Sequence, residues 1–310
     1  MSERYPRIRR YLENGNLALR EGLHLCFFMK RSHGEALPAI TLALDIYLHT
    51  VGRDKLGWYV APEGECQPLD DKGWEYVRSI LFDTAQDEAC SLTLREHPGQ
   101  VSGFRFQLSG HDLTSAFAAR RTGLVSAVSF WLPTEYLEEQ GPGQVRELAV
   151  ALARELPLVS GYASLSFNHI EVLWADRLIR ELCFQYPGLD VHALEGTVMS
   201  VGTGVRGPYW LNFYGQPLLE RLGGAEGLRA RLPLPEIDVQ ELGQEKVLVA
   251  LGEWPIAGNE EPPEALLPYR ELTRVLEPHL HEECVRWRSL NPTRMRQWQR
   301  RFLDERPLMT

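Results

Sequence analysis

Apolar positions along the chain follow two rhythms, and the switches between them mark the elements. "LHLCFFMK" (Leu23–Lys30) is a short apolar run and reads as a buried strand. Leu37, Ile40, Ala43, Leu44, Tyr47, Leu48 and Val51 then recur at helical spacing, and Gly52 closes that pattern. "LGWYVAP" predicts a second strand, ended by Pro62. In "DDKGWEYVRSILFDTA" the residues Trp74, Val77, Leu81 and Phe82 are expected on one helical face. Three period-two segments follow: "CSLTLREH", "SGFRFQLSG" and "GLVSAVSFWLP". In the second, Phe104, Phe106 and Leu108 take one side while Arg105 and Gln107 take the other, as in an antiparallel meander with one wet face.

The second half continues the mixture. A helix is predicted between Pro142 and Pro157, then the strand "GYASLSFNH", then a helix over "ADRLIRELCFQYPG" stopped by Pro187-Gly188. "GTVMSVG" and "GPYWLNFYG" read as a strand pair. "QPLLERLGG" is a short helix with Pro217 near its start and Gly223 at its end, and its Leu218, Leu219 and Leu222 are core positions. "EKVLVALGEW" is another strand, and "AGNEEPPEALLP" a Pro-rich acidic connector. From Tyr269 the chain reads as mostly helix, interrupted at Pro278, and ends in an Arg-rich helical segment. Strands and helices interleave without strict alternation. The fold class is therefore α+β, mostly antiparallel sheet flanked by helices. One α+β domain over residues 1–260 is expected, divisible into halves 1–140 and 141–260, with residues 261–310 a helical extension packed on it.

Composition narrows the function. At 310 residues with 44% apolar and 24% charged content, a sizeable core is expected. The net charge of -9 argues against a general nucleic-acid binder. Only four of the basic residues are lysines: Lys30, Lys55, Lys72 and Lys246. Five scattered cysteines (Cys26, Cys66, Cys90, Cys183, Cys284) form no CxxC pair and suit a reducing compartment. "MSERYPRIRRYLENG" carries no apolar signal core and no run is long enough for a membrane helix, so a cytoplasmic location is expected.

Candidate chemistry is thin. "GTGVRG" (Gly202–Gly207) matches G-x-G-x-x-G, but Pro208 and a strand-like stretch follow where a dinucleotide site needs a helix; a glycine hairpin is expected instead. "PHLHEEC" offers His279, His281, Glu282, Glu283 and Cys284, without the two-His helical spacing of a zincin. Asn168, His169 and Glu171 end a strand, so a hydrolase using His169 with a remote Ser or Cys, or a metal enzyme using His279–Cys284, is one alternative. A restriction-type nuclease wants Glu-x-Lys or its equivalent at a strand. Here the only acid two residues before a lysine is Asp70, in a turn, so the chain is not read as such a nuclease. Between Val285 and Leu303 stand six arginines, Trp287 and Trp298, and no acid. A nucleic-acid-binding regulator is the second alternative. Docking on acidic surface is the other reading, since Arg231–Glu283 holds twelve acids and four bases.

The stretch "GPYWLNFYGQPLLERLGG", with "GYASLSFNH", the helix before it, and the early "LHLCFFMK … ALPAITLALDIYLHTVG", resembles a type VI secretion immunity family. Members protect bacteria from nuclease toxins of the VRR-NUC and related restriction-endonuclease-like classes. The resemblance spans roughly residues 20 to 250 and rests on structural motifs. It implies a cytoplasmic protein without a catalytic set, metal or cofactor, which binds and neutralises a cognate toxin, a DNase, encoded by a neighbouring gene. No direct nucleic acid and no membrane are implied, and a homodimer is left open. An acidic surface would suit a basic nuclease cleft, which makes Glu253, Glu260 and Glu261 the partner-facing candidates.

Overall fold

The computed structural model describes residues 5–83, 87–170, 173–243, 245–259, 261–281 and 292–303. In chain order the elements are β1 (Arg10–Tyr11), β2 (Leu17–Met29), α1 (His33–Val51), β3 (Trp58–Val60), β4 (Cys66–Pro68), α2 (Asp71–Asp83), β5 (Ala89–Arg95), β6 (Arg105–His111), β7 (Ser126–Pro133), α3 (Thr134–Glu155) and β8 (Ser160–His169). There follow α4 (Leu173–Gln185), β9 (Asp190–Val191), α5 (Leu194–Val198), β10 (Leu211–Tyr214), α6 (Leu218–Arg221), α7 (Gly224–Arg231), β11 (Ile237–Glu241), β12 (Val247–Leu251), α8 (Leu267–Leu276) and α9 (Pro292–Gln299). The twelve strands form one open sheet in the order β11-β12-β10-β8-β2-β7-β6-β5-β3-β4, with β1 on β2 and β9 on β8. Every pairing is antiparallel except β8 with β9. The α+β class read from the sequence is the class observed.

The apolar run read at Leu23–Lys30 lies in β2, the longest strand, where every residue after Leu17 is buried. It pairs with β7 on one side and β8 on the other. Side chains alternate across the sheet. Leu23, Leu25, Phe27 and Met29 join the main core beneath α1 and α3. There the Phe130 ring meets the rings of Phe27, Tyr47 and Phe106, and the Tyr47 hydroxyl donates to the Trp131 carbonyl at 2.6 Å. Cys26 and Phe28 face the opposite side. There Leu194, Val198, Val201 and Tyr209, from the segment between β9 and β10, cover them together with Ala127 and Tyr162. That cover reaches β6 at the buried Ser109 but leaves the rest of β5 and β6 with the wet face expected of the meander: Thr93, Arg95, Arg105 and Gln107 are half-buried and Ser91 is exposed. A second core gathers Leu218, Leu219 and Leu222 with Tyr214, Tyr269 and Leu272, as their helical spacing predicted.

The N-terminal segment is fastened by charge. Buried Glu21 accepts from the Ile8 amide at 2.8 Å and from the Thr134 hydroxyl at 3.1 Å. Arg9 and Arg20 both bond Glu135 at the start of α3, and Arg7 bonds Glu138 at 2.6 Å.

Three expectations change. Phe82 is exposed while Val77 and Leu81 are buried, because Phe82 follows Leu81 by one residue and so sits about 100° around the helix. "GTVMSVG" is not a strand: it holds the end of α5 and the turn after it, so β10 pairs with β8 and β12 instead. The helix before β8 begins earlier, at Thr134, with a break at Gly141 (φ 79°), a left-handed conformation open to glycine, before Pro142 restarts it.

Phe130→Ala should cost about 3–5 kcal/mol, the range for emptying a buried aromatic site, measured as the shift in urea unfolding free energy. A loss under about 1 kcal/mol would mean that the aromatic cluster does not hold the sheet to α1.

Candidate functional site

The described residue cluster richest in chemistry lies on the covered side of β2. Pairing places His24 opposite Trp131 of β7 and Ser164 of β8, and Cys26 opposite Tyr162. β9 brings Asp190 alongside Ser166, and His192 follows it. The His192 ring lies 3.8 Å from that of His24 and 5.5 Å from that of Trp131. From the loop before β10 come Arg206 and Tyr209. Tyr209 stacks on Tyr162 with ring centroids 3.8 Å apart.

Asp190 is fully buried, and an isolated carboxylate there would be prohibitively costly. It is neutralised in place. Arg206 Nη1 donates to both of its oxygens at 2.9 Å, the Tyr162 hydroxyl donates at 2.7 Å, and the Tyr209 hydroxyl at 2.9 Å. Arg206 Nη2 also donates to the Val191 carbonyl at 2.7 Å. Burial alone would raise the Asp190 carboxyl; the Arg206 guanidinium and the hydrogen bonds outweigh it and hold the group well below the usual carboxylate range. His24 Nδ1 stands 3.7 Å from Asp190. Burial nevertheless lowers the imidazole to about 4, with Arg105 and Arg206 pushing the same way against the pull of Asp190. His192 is held well below its ordinary value, mainly by burial and by His24. Both imidazoles are therefore neutral at physiological pH.

Two kinds of chemistry can be weighed here. His24, Asp190 and His192 bring one ligand atom each to within 4.8 Å of one another, the right types for a transition metal. The carboxylate, however, is already spent on three donors, and Arg206 supplies the positive charge a metal would bring. The donor set does not fit a cation well. Cys26, His24 and Asp190 are also the residue types of a thiol hydrolase. Burial pushes the Cys26 thiol up, away from the thiolate that would attack, and its side chain is fully buried. The arrangement works as a clamp that ties β9 and the loop before β10 to β2 and β8.

The sequence candidates are dispersed. Asn168 donates to the Ser102 carbonyl at 2.7 Å, and His169 Nδ1 lies 2.9 Å from the Ile170 carbonyl; Glu171 falls outside the described residues. His281 Nε2 is 3.2 Å from the Ser200 hydroxyl, while Glu282, Glu283 and Cys284 lie outside the described residues. "GTGVRG" leads no helix; its Arg206 is the clamp's cation. In the C-terminal segment Arg300 bonds Glu277 at 3.0 Å, Arg294 lies over the Phe184 ring, and Arg301 donates to the Pro187 carbonyl at 2.7 Å. Glu253 is exposed, Glu261 accepts from the Ala257 and Gly258 amides, and Glu260 is outside the described residues. Sequence reading missed Asp190 and its partners. The available signals were a histidine inside the apolar run "LHLCFFMK" and an aspartate in the apolar context "GLDVHA".

A family model described as TsiV, type VI immunity for VRR-NUC, matches residues 39–302. A solved structure of a Pseudomonas aeruginosa T6SS protein superposes with a TM-score of 0.76 at 19% identity, covering 95% of this chain and 87% of that one. At that identity the likeness shows a shared fold. Among curated proteins none matches.

The two neutral imidazoles make stability acid-sensitive. An unfolded His24 takes up its proton near 6.5, whereas the folded one waits until about 4. The unfolded state thus binds more protons in that window, and stability falls as pH drops from 6.5 toward 4. His24 accounts for about 3 kcal/mol of that loss at most, and His192 adds in the same direction. His24→Gln should flatten the fall in urea unfolding free energy between pH 7 and pH 4.5; an unchanged slope would contradict the buried neutral imidazole.

Proposed function

We infer the function from a premise now in hand: the chain belongs to the TsiV family, type VI immunity for VRR-NUC. The protein binds a cognate VRR-NUC effector of type VI secretion and blocks it stoichiometrically, so that the producing cell survives its own toxin. The effector is a DNase, and the encounter takes place in the cytoplasm. The observation that carries this reading is the family match over residues 39–302. Two features support it. In the cluster richest in chemistry the Asp190 carboxylate is spent on Arg206 and two tyrosine hydroxyls, which suits a protein acting through its surface. No described helix is long and apolar enough to cross a membrane, which fits an encounter in an aqueous compartment.

The test is co-expression. The VRR-NUC protein encoded beside this gene should kill cells when expressed alone, and this chain should restore growth and co-purify with it. Continued killing with both proteins present would overturn the reading.

Acidic charge on the surface would steer a basic nuclease toward the complex. Glu253 and Glu260 take this role in the proposal, and Glu261 drops to a structural one because its carboxylate holds two loop amides. Glu253→Lys with Glu260→Lys should slow association severalfold and flatten its salt dependence. An unchanged association rate across salt concentrations would remove these residues from the encounter.

A further inference from the structure

One rung of the sheet crosses six strands on a single face. Trp58 of β3 pairs with Arg95 of β5, Arg95 with Arg105 of β6, Arg105 with Trp131 of β7, Trp131 with His24 of β2, and His24 with Ser164 of β8. Cross-strand partners share a face, so these side chains form a row. At its β8 end the row lies under the segment that carries His192. At its β3 end Trp58, Arg95 and Arg105 remain half-exposed. The two neighbouring rungs on β5, β6 and β7 are Thr93–Gln107–Ser129 and Ser91–Ser109–Ala127. None of these positions is a carboxylate.

We propose that this open face of β5 and β6, headed by Arg95 and Arg105, is where the effector seats a carboxylate-bearing surface. The proposal rests on the immunity reading above. Three observations favour an acidic protein surface as the occupant. The Arg105 guanidinium is stacked 4.5 Å over the Trp131 ring, which fixes its orientation before any partner arrives. Arg95 is half-exposed, and among the described residues its one side-chain hydrogen-bond partner is the Cys66 sulfur, 3.8 Å from Nη1. The planar fork of a half-exposed guanidinium matches the two oxygens of a carboxylate. Finally, Ser91, Thr93 and Gln107 reach solvent beside Trp58, Arg95 and Arg105, a neutral polar patch with aromatic and arginine anchors of the kind protein interfaces use. A nucleic-acid backbone fits less well. It would need a longer row of cations, on a chain whose net charge is -9.

The experiment uses the full chain and a catalytically disabled form of the adjacent VRR-NUC protein, with affinity read by calorimetry. Arg95→Glu and Arg105→Glu should each weaken binding about tenfold or more, and together about a hundredfold. Ser91→Trp, at an exposed position of the same face, should weaken it by bulk without touching the core. Thermal unfolding of each variant checks that the fold is kept. Folded variants that all bind within twofold of the unsubstituted chain would overturn the proposal and leave the immunity reading standing. An unsubstituted chain that fails to bind at all would overturn both. Two other results would also overturn it, by giving the face another occupant. One is binding of a single-stranded DNA oligonucleotide that Arg95→Glu abolishes. The other is a homodimer that the same change dissociates.

Discussion

The register of β2 is the constraint on which the rest depends. Paired with β7 from Gly22 to Met29 and with β8 from Leu19 to Phe28, it decides which residues share each face across the middle of the sheet. A slip by one residue would carry Leu23, Leu25, Phe27 and Met29 out of the core beneath α1 and α3 and drive His24 into it. The buried clamp is set by the same register, because it brings His24 and Cys26 to Tyr162 and Ser164. So is the row that emerges at Arg105, since the partner of His24 is Trp131 and the partner of Trp131 is Arg105.

The clamp shows how a chain can bury ionisable groups by neutralising them in place. Asp190 and Arg206 neutralise each other, and two tyrosine hydroxyls take the remaining carboxylate lone pairs. Removing either charge would leave the other stranded, which is far costlier than never having had the pair. Such a network ties the loop before β10 to one geometry over the sheet. Under the proposed binding role, a rigid loop and sheet reduce the ordering cost of association.

Much of the fold was legible because long elements with clear periodicity announce themselves. The alternation of Phe104, Phe106 and Leu108 with Arg105 and Gln107 gave both the β6 strand and its wet face. The leucines of "PLLERLGG" gave a core helix. What failed was short or ambiguous. "GTVMSVG" has β-branched residues and flanking glycines, yet Val198 and Val201 pack against the covered face and the stretch forms the end of α5 and the turn after it. β4 and β9 span three and two residues, too few to show a period. The clamp was hidden because its members are scattered from His24 to Tyr209 and only the sheet gathers them. The row from Trp58 to His24 was hidden for the same reason: each residue comes from a different strand. The family resemblance was read from "GPYWLNFYGQPLLERLGG" and the earlier motifs over residues 20 to 250, whereas the family match spans residues 39–302 and takes in α8 and α9.

The most direct test of the account is an in vitro nuclease titration. Plasmid cleavage by the purified VRR-NUC effector would be followed as this protein is added at concentrations well above the dissociation constant. The account predicts cleavage falling linearly and stopping at a fixed stoichiometric ratio, the signature of one protein capping another. Cleavage that continues at large molar excess would contradict it.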